Sequence, residues 1–166
     1  MENIEIKASC RDLASAEKAA EAAGAGFAGF LRQTDTYFQT AHGRLKLREI
    51  AGQRAQLIFY ARADSPGPRT SAYQIYPVED SDALKELLAQ ALQIHKVVEK
   101  ERKLYLYDEV RIHFDIVKGI GNFIELEGVR HCGDDYEAVD RKVRYLIDIL
   151  KIESAHLVPQ SYADLV

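Results

Sequence analysis

"VRIHFDIVKGIGNFIELE", residues 110–127, alternates with a period of two. Ile112, Phe114 and Ile116 fall on one face, with Arg111, His113 and Asp115 on the other. Past a glycine-containing turn, Ile124 and Leu126 keep the apolar face while Glu125 and Glu127 stand opposite. Successive side chains of a strand point to opposite faces, so the pattern predicts two half-buried strands in a hairpin. Their polar face carries charges of both signs.

The same alternation extends outward from this hairpin. "HKVVEKERKLYLY" (95–107) predicts the strand before it, with Lys100 and Arg102 on one face. "RLKLREI" (44–50) sets Leu45 and Leu47 against Lys46 and Arg48, and "QLIFYAR" (56–62) puts Tyr60 and Arg62 on a common face. "FLRQTDTYF" (30–38) and Thr70 to Tyr76 read as two more strands, and Asn3 to Lys7 as the first, with Ile4 and Ile6 opposite Asn3, Glu5 and Lys7. "ADSPGPR" (63–69) holds prolines and a glycine that only a turn accommodates.

Three segments have helical period. The Ala-rich stretch after Asp12 has high helix propensity, with Asp12 as N-cap and Gly24 as stop. Asp82 to Leu92 carries Leu84, Leu87, Leu88 and Ala91 on one stripe, with Ser81 as cap. Asp134 to Leu150 places Val139, Val143, Leu146 and Ile147 on another. The tail "SAHLVPQSYADLV" (154–166) is too apolar for a free coil and is expected to dock.

Eight strands joined mostly by hairpin-length turns, with three helices, make an α+β fold in which helices cover the apolar face of an antiparallel sheet. The chain, 1–166, reads as one domain with no repeat and no linker. Apolar residues at 47% and charged residues at 29% are an ordinary globular balance. A formal net charge of −4 argues against a general nucleic-acid binder. The start "MENIEIK" is no signal peptide and no apolar run suits a membrane span, so a cytoplasmic protein is expected. Cys10 and Cys132 lack metal or redox spacing and read as reduced structural thiols.

Parity gathers Glu5, Lys7, Lys46, Arg48, Arg62, Lys100, Arg102, Arg111, His113, Asp115, Glu125 and Glu127 on one face, with Tyr37 and Tyr60. One reading is the wet side of a sheet. Another follows from size: an eight-stranded antiparallel sheet tends to curl and close, which would turn this face inward as a lumen. Cations crowd the middle strands, while the carboxylates sit on the first, seventh and eighth. A cationic wall facing carboxylates suits a metal-bound polyphosphate: Arg and Lys take the phosphate oxygens, and carboxylates take a hard divalent cation.

"EIK" at residues 5–7 resembles the signature of the CYTH superfamily, the triphosphate tunnel metalloenzymes. "QTDTYF", "GRLKLRE", "EKERKLY", the 111–127 stretch and "QSYADL" resemble its class IV adenylyl cyclase-like branch, in the usual order. The resemblance implies a closed or nearly closed eight-stranded β-barrel, a tunnel with helices packed outside. It implies Mg²⁺ or Mn²⁺ as cofactor and ATP or inorganic triphosphate as partner. Lys7, Lys46, Arg48, Arg62, Lys100 and Arg102, with Arg111 as a seventh, would hold the triphosphate. Glu5, Glu125 and Glu127 would hold the metal, with Asp115 assisting. The family signature is Glu-x-Glu-x-Lys, and Asn3 stands where its first carboxylate would be, offering a carbonyl oxygen with less charge.

The activity so implied is adenylate cyclase-like conversion of ATP to cyclic AMP and pyrophosphate. The alternatives are hydrolysis of inorganic or thiamine triphosphate, and a non-catalytic nucleotide- or polyphosphate-binding module. His113 reads as a hydrogen-bonding partner, with a general base as the rival role. Relatives of this branch make a homodimer a further expectation. Neither nucleic acid nor membrane is expected as a partner.

Overall fold

A computed structural model describes residues 3–61, 72–129 and 136–166. Eight strands form one antiparallel sheet: β1 (Asn3–Ser9), β2 (Gly26–Phe38), β3 (Arg44–Ile50), β4 (Ala55–Ala61), β5 (Ala72–Val78), β6 (Ile94–Tyr107), β7 (Val110–Val117) and β8 (Gly121–Val129). Their order is β1-β8-β7-β6-β2-β3-β4-β5. Two meanders, β2 to β5 and β6 to β8, are thus joined along the long β2/β6 ladder, and β1 adds beside β8.

The expected closure is not made by hydrogen bonds. β1 and β5 are the edges of the sheet, and no ladder joins them among the described residues. Pro77 of β5, opposite Gln56 of β4, has no amide to donate to a further strand, as suits an edge position. β2 begins at Gly26 rather than Phe30, because the long β6 pairs with it as far as Leu106 through a register shift between Phe27 and Gly29.

Helices α1 (Leu13–Ala22) and α3 (Tyr136–Ile149) cover the apolar side of β1, β8 and β7. Leu13, Ala16 and Ala20 of α1 and Val139, Val143, Leu146 and the adjoining Leu150 pack with Ile4, Ile6, Ile112, Phe114, Ile124 and Leu126. Asp12 caps α1 by accepting from Ser15 N at 3.0 Å. Ile116 lies beyond the helical cover and is 51% exposed, unlike its neighbours in the alternation.

α2 (Ser81–Leu92) rests Leu84, Leu88 and Leu92 on Phe38, Leu47, Ala55 and Val78. Its cap is Asp80, not Ser81: the Asp80 carboxylate accepts from Ala83 N at 3.0 Å. The apolar stripe is only half used, because Leu87 and Ala91 point to solvent.

The tail docks as expected. Val158 N donates to Lys7 O at 2.9 Å, and a short α4 (Tyr162–Leu165) follows a capping box between Ser161 and Asp164. Tyr162 and Ala163 close over Tyr37, Ile58, Tyr60, Val98, Val117 and Phe123 on the charged side of the sheet. The Arg62 position, Cys132, and the expected starts at Thr70 and Asp134 lie outside the described residues. None of the described helices is long and apolar enough to cross a membrane.

Candidate triphosphate site

A cavity of about 410 Å³ receives side chains from all eight strands. The ionic face therefore does turn inward: the sheet wraps its own charges even with no β1/β5 ladder among the described residues. Lys7, Lys46, Lys100, Arg102, His113 and Asp115 are buried, and Arg48, Glu5, Glu125 and Glu127 half-buried. A larger groove of about 980 Å³ beside α2 adjoins this cavity and shares Gln33, Ile50 and Lys100 with it; its other charges are paired among themselves, as in Lys85–Glu49 at 2.6 Å and Arg32–Glu101 at 3.4 Å.

Two units of one design build the cationic wall. In the first, Lys46 and Arg48 on β3 flank Asp35 on β2. Asp35 accepts from Lys46 Nζ at 2.7 Å, from Arg48 at 3.0 and 3.1 Å, and from Gln33 Nε2 at 3.0 Å. In the second, Lys100 and Arg102 on β6 flank Asp115 on β7. Asp115 accepts from Lys100 Nζ at 3.1 Å, from Arg102 at 2.6 and 2.5 Å, and from Tyr162 Oη at 2.9 Å. Each Arg stands directly across the ladder from its Asp. The Lys-x-Arg spacing works because residues two apart share a face.

The rings supply the rest of the lining. Lys7 Nζ and Lys100 Nζ lie 4.2 and 4.8 Å from the centre of the Tyr162 ring, a cation–π arrangement. Lys7 also donates to Gln160 O at 3.0 Å and sits 3.4 Å from Glu125, which Arg102 contacts as well.

Burial raises the Asp35 carboxyl, but Arg48 and then Lys46 outweigh it and hold the group far below the usual carboxylate range. Asp115 and Glu125 follow the same balance and are also held low, Asp115 by Lys100 and Arg102, Glu125 by Arg102, Lys100 and Lys7. The lysines go the other way. Burial, then repulsion from Arg48, lowers Lys46 to about 7 despite Asp35, and burial with Arg102 lowers Lys100. In both lysines burial is the largest cause, as desolvation disfavours the charged form.

The carboxylates lie at the opposite, more open end. Glu5 and Glu127 face each other directly in the β1/β8 ladder, and Arg111 approaches Glu127 at 3.4 Å. Like charges opposite each other destabilise a ladder, and a divalent cation between them would relieve that cost. Among the described residues no three His, Cys, Asp or Glu side chains converge into a metal cage. Two carboxylates nonetheless fit Mg²⁺, which keeps its waters and is held by one or two carboxylates with substrate phosphates. Glu125, one step deeper, is drawn into the cation network. Position 3 pairs with Val129 at the same end, and its side chain is outside the described residues.

The expected residues thus meet, apart from Arg62, which is not described; Arg111 stands at the exposed rim. His113 is buried, with Nδ1 making no hydrogen bond and 3.8 Å from Glu125; burial and then Arg102 lower its pKa. Asp35, Gln33 and Tyr162 were not anticipated. Asp35 has the parity of Tyr37, and it and Gln33 fall in the "QTDTYF" stretch, as Tyr162 falls in "QSYADL"; the contact of Tyr162 with Asp115, between residues 47 apart, has no local signal.

A family model for the CYTH domain matches residues 1–162. The chain belongs to the CYTH family. CYTH membership agrees with the inward-facing triphosphate-type site just described. Solved structures share the fold. The PH1012 protein of Pyrococcus horikoshii OT3 superposes with a TM-score of 0.87 at 22% identity, covering 100% of this chain and 99% of that one. A candidate adenylate cyclase of Vibrio parahaemolyticus gives 0.78 at 17% identity, covering 99% and 97%. A candidate adenylyl cyclase of Hippeastrum, described as having a dominant triphosphatase activity, gives 0.64 at 17%, covering 92% and 89%. No curated protein matches the sequence.

Proposed function

We propose that this CYTH chain is a divalent-metal-dependent triphosphate enzyme, acting as an adenylate cyclase-like lyase that forms cyclic AMP and pyrophosphate from ATP. The observation that carries the reading is the meeting of Lys7, Lys46, Arg48, Lys100 and Arg102 in one cavity, with Glu5 and Glu127 at its open end. The two Lys-x-Arg units hold the β- and γ-phosphates, because their side chains are oriented in advance by Asp35 and Asp115. Glu5 and Glu127, with Asn3 and Glu125 beside them, are the residues that would hold Mg²⁺ or Mn²⁺. When bound, the metal supplies charge neutralisation and activation of the attacking oxygen.

In this reading the ribose 3′-oxygen bonds to the α-phosphorus while the bond from that phosphorus to the α,β-bridging oxygen breaks. Pyrophosphate leaves into the cationic wall, and the hydroxyl proton passes to bulk solvent at the open end. Arg111 at the rim meets the incoming polyphosphate. Asp115, wholly enclosed by Lys100, Arg102 and Tyr162, acts through those cations rather than on the metal.

The test is incubation with ATP, inorganic triphosphate and thiamine triphosphate, each with Mg²⁺ or Mn²⁺, resolving the products. Cyclic AMP with pyrophosphate is expected. Free phosphate without cyclic AMP would assign a triphosphatase, the activity described for the Hippeastrum neighbour. Tight binding without product would assign a binding module, and neither binding nor product would overturn the reading.

A further inference from the structure

His113 lines the cavity from β7, with a side chain only 10% exposed. Its Nδ1 is buried and makes no hydrogen bond. A buried nitrogen left unbonded carries a desolvation penalty, so its persistence calls for a reason. Across the β6/β7 ladder the imidazole faces Leu104, which offers no side-chain acceptor; across the β7/β8 ladder it faces Glu125. Glu125 Oε2 lies 3.8 Å from Nδ1, beyond hydrogen-bond range. A swing of the carboxylate by about 1 Å would bring the pair to an ordinary bond length.

The carboxylates bound into the cationic wall are not held alike. Asp35 is enclosed by Lys46, Arg48 and Gln33, and Asp115 by Lys100, Arg102 and Tyr162. Neither has anywhere to turn. Glu125 is more open: Arg102 contacts its Oε2, and Lys7 stands 3.4 Å from its Oε1. Arg102 and Lys7 are also two of the cations that a triphosphate would take. Phosphate oxygens arriving there compete with Glu125 for both donors and repel its charge at short range. Glu125 is therefore the carboxylate that has to yield, and Nδ1 of His113 is the donor beside it.

We infer that His113 is the positioning residue that receives Glu125 when phosphate groups occupy Arg102 and Lys7, with Nδ1–H donating to Oε2 and turning the carboxylate away from the bound polyphosphate. The inference rests on the triphosphate reading above and adds an exchange of partners linked to ligand binding. In the empty cavity Arg102 keeps Glu125, because a guanidinium in direct contact outweighs an imidazole 3.8 Å away. The His113 bond is absent from the empty protein and present in the complex. A ligand draws affinity from interactions that differ between the two states, so this bond favours binding although His113 touches no phosphate.

The experiment is calorimetric titration of inorganic triphosphate, in EDTA, into wild type, His113→Leu and His113→Asn. Leu removes the donor, whereas Asn returns an N–H on an atom bonded to Cγ, as Nδ1 is. His113→Leu should weaken binding roughly 10- to 100-fold, the scale of one hydrogen bond to a charged group, and His113→Asn should recover most of that loss. The melting temperature of empty His113→Leu should not fall, since Nδ1 makes no bond there. In a Glu125→Ala background His113→Leu should change affinity by less than about twofold, because the acceptor is gone. A lower melting temperature with unchanged affinity, or equal weakening by Leu and Asn in folded proteins, would overturn the inference. Wild type gives a reading that needs no variant. At constant pH the Nδ1 resonance of His113 in nitrogen NMR should move to that of a hydrogen-bond donor as inorganic triphosphate is added, and an unmoved resonance in the complex would overturn the exchange. Each of these contrary results leaves the triphosphate site intact, whereas failure of wild type to bind inorganic triphosphate would remove both.

Discussion

The Tyr162 hydroxyl donates to a carboxylate with no solvent exposure, and hydrogen bonds to charged groups contribute about 1.5–3 kcal/mol. Tyr162→Phe should therefore lower unfolding free energy by about that amount in urea denaturation. A loss under about 0.5 kcal/mol would show that Asp115 is fully served by Arg102 and Lys100. Lys46 makes a second prediction. Its folded pKa, about 7, lies below the ordinary 10.5, so above pH 7 the empty protein loses this proton. A bound triphosphate favours the charged form, so binding above pH 7 should take up a proton and weaken as pH rises. Titrations in buffers of differing ionisation enthalpy read that uptake directly, and its absence in wild type would contradict the role of Lys46. At this scale most of the site was legible from parity, since a period of two decides which side chains share a cavity. Asp35 escaped because a carboxylate among cations breaks a simple segregation of signs, although that break is what holds Lys46 and Arg48 in place. The fixing of Asp115 by a tail tyrosine depends on long-range packing, which no local period encodes.

At the scale of elements, α3 lies directly against β8. A Cβ added at Gly128 would meet Val139 Cγ1 at 2.7 Å and Val143 Cγ2 at 3.2 Å. These are stiff β-branched side chains, so Gly128→Ala should force the helix outward and cost about 1–3 kcal/mol. An unchanged melting temperature would mean that α3 slides without penalty. The cap of α2 separates two adjacent residues: Asp80→Ala should cost about 1 kcal/mol, and Ser81→Ala little, by thermal denaturation. The sequence places the cap one residue late because both Asp80 and Ser81 are good cap types, and only the backbone shows which side chain reaches Ala83. Strand existence was legible throughout, because hydrophobic alternation is local. Strand ends were not, since β2 reaches Gly26 only by pairing with an equally long β6.

For the molecule as a whole, the account depends on curvature bringing distant cations together. β3 and β6 are separated in the sheet by β2 alone, and β1 comes round from the far edge to place Lys7 in the same cavity. Among the described residues the sheet achieves this with no ladder between β1 and β5, without the hydrogen-bonded closure that strand count suggested. Closure was not legible because it depends on how two edges approach, whereas inward charge was legible in each strand's alternation. The most direct measurement is calorimetric titration of inorganic triphosphate with Mg²⁺ into wild type and Lys100→Met, a substitution that keeps the packing against Tyr162. One-to-one binding to wild type, weakened roughly 10- to 100-fold in the variant as loss of a charge-assisted hydrogen bond requires, is predicted. Equal affinity in the two proteins, or no binding to wild type, would contradict it.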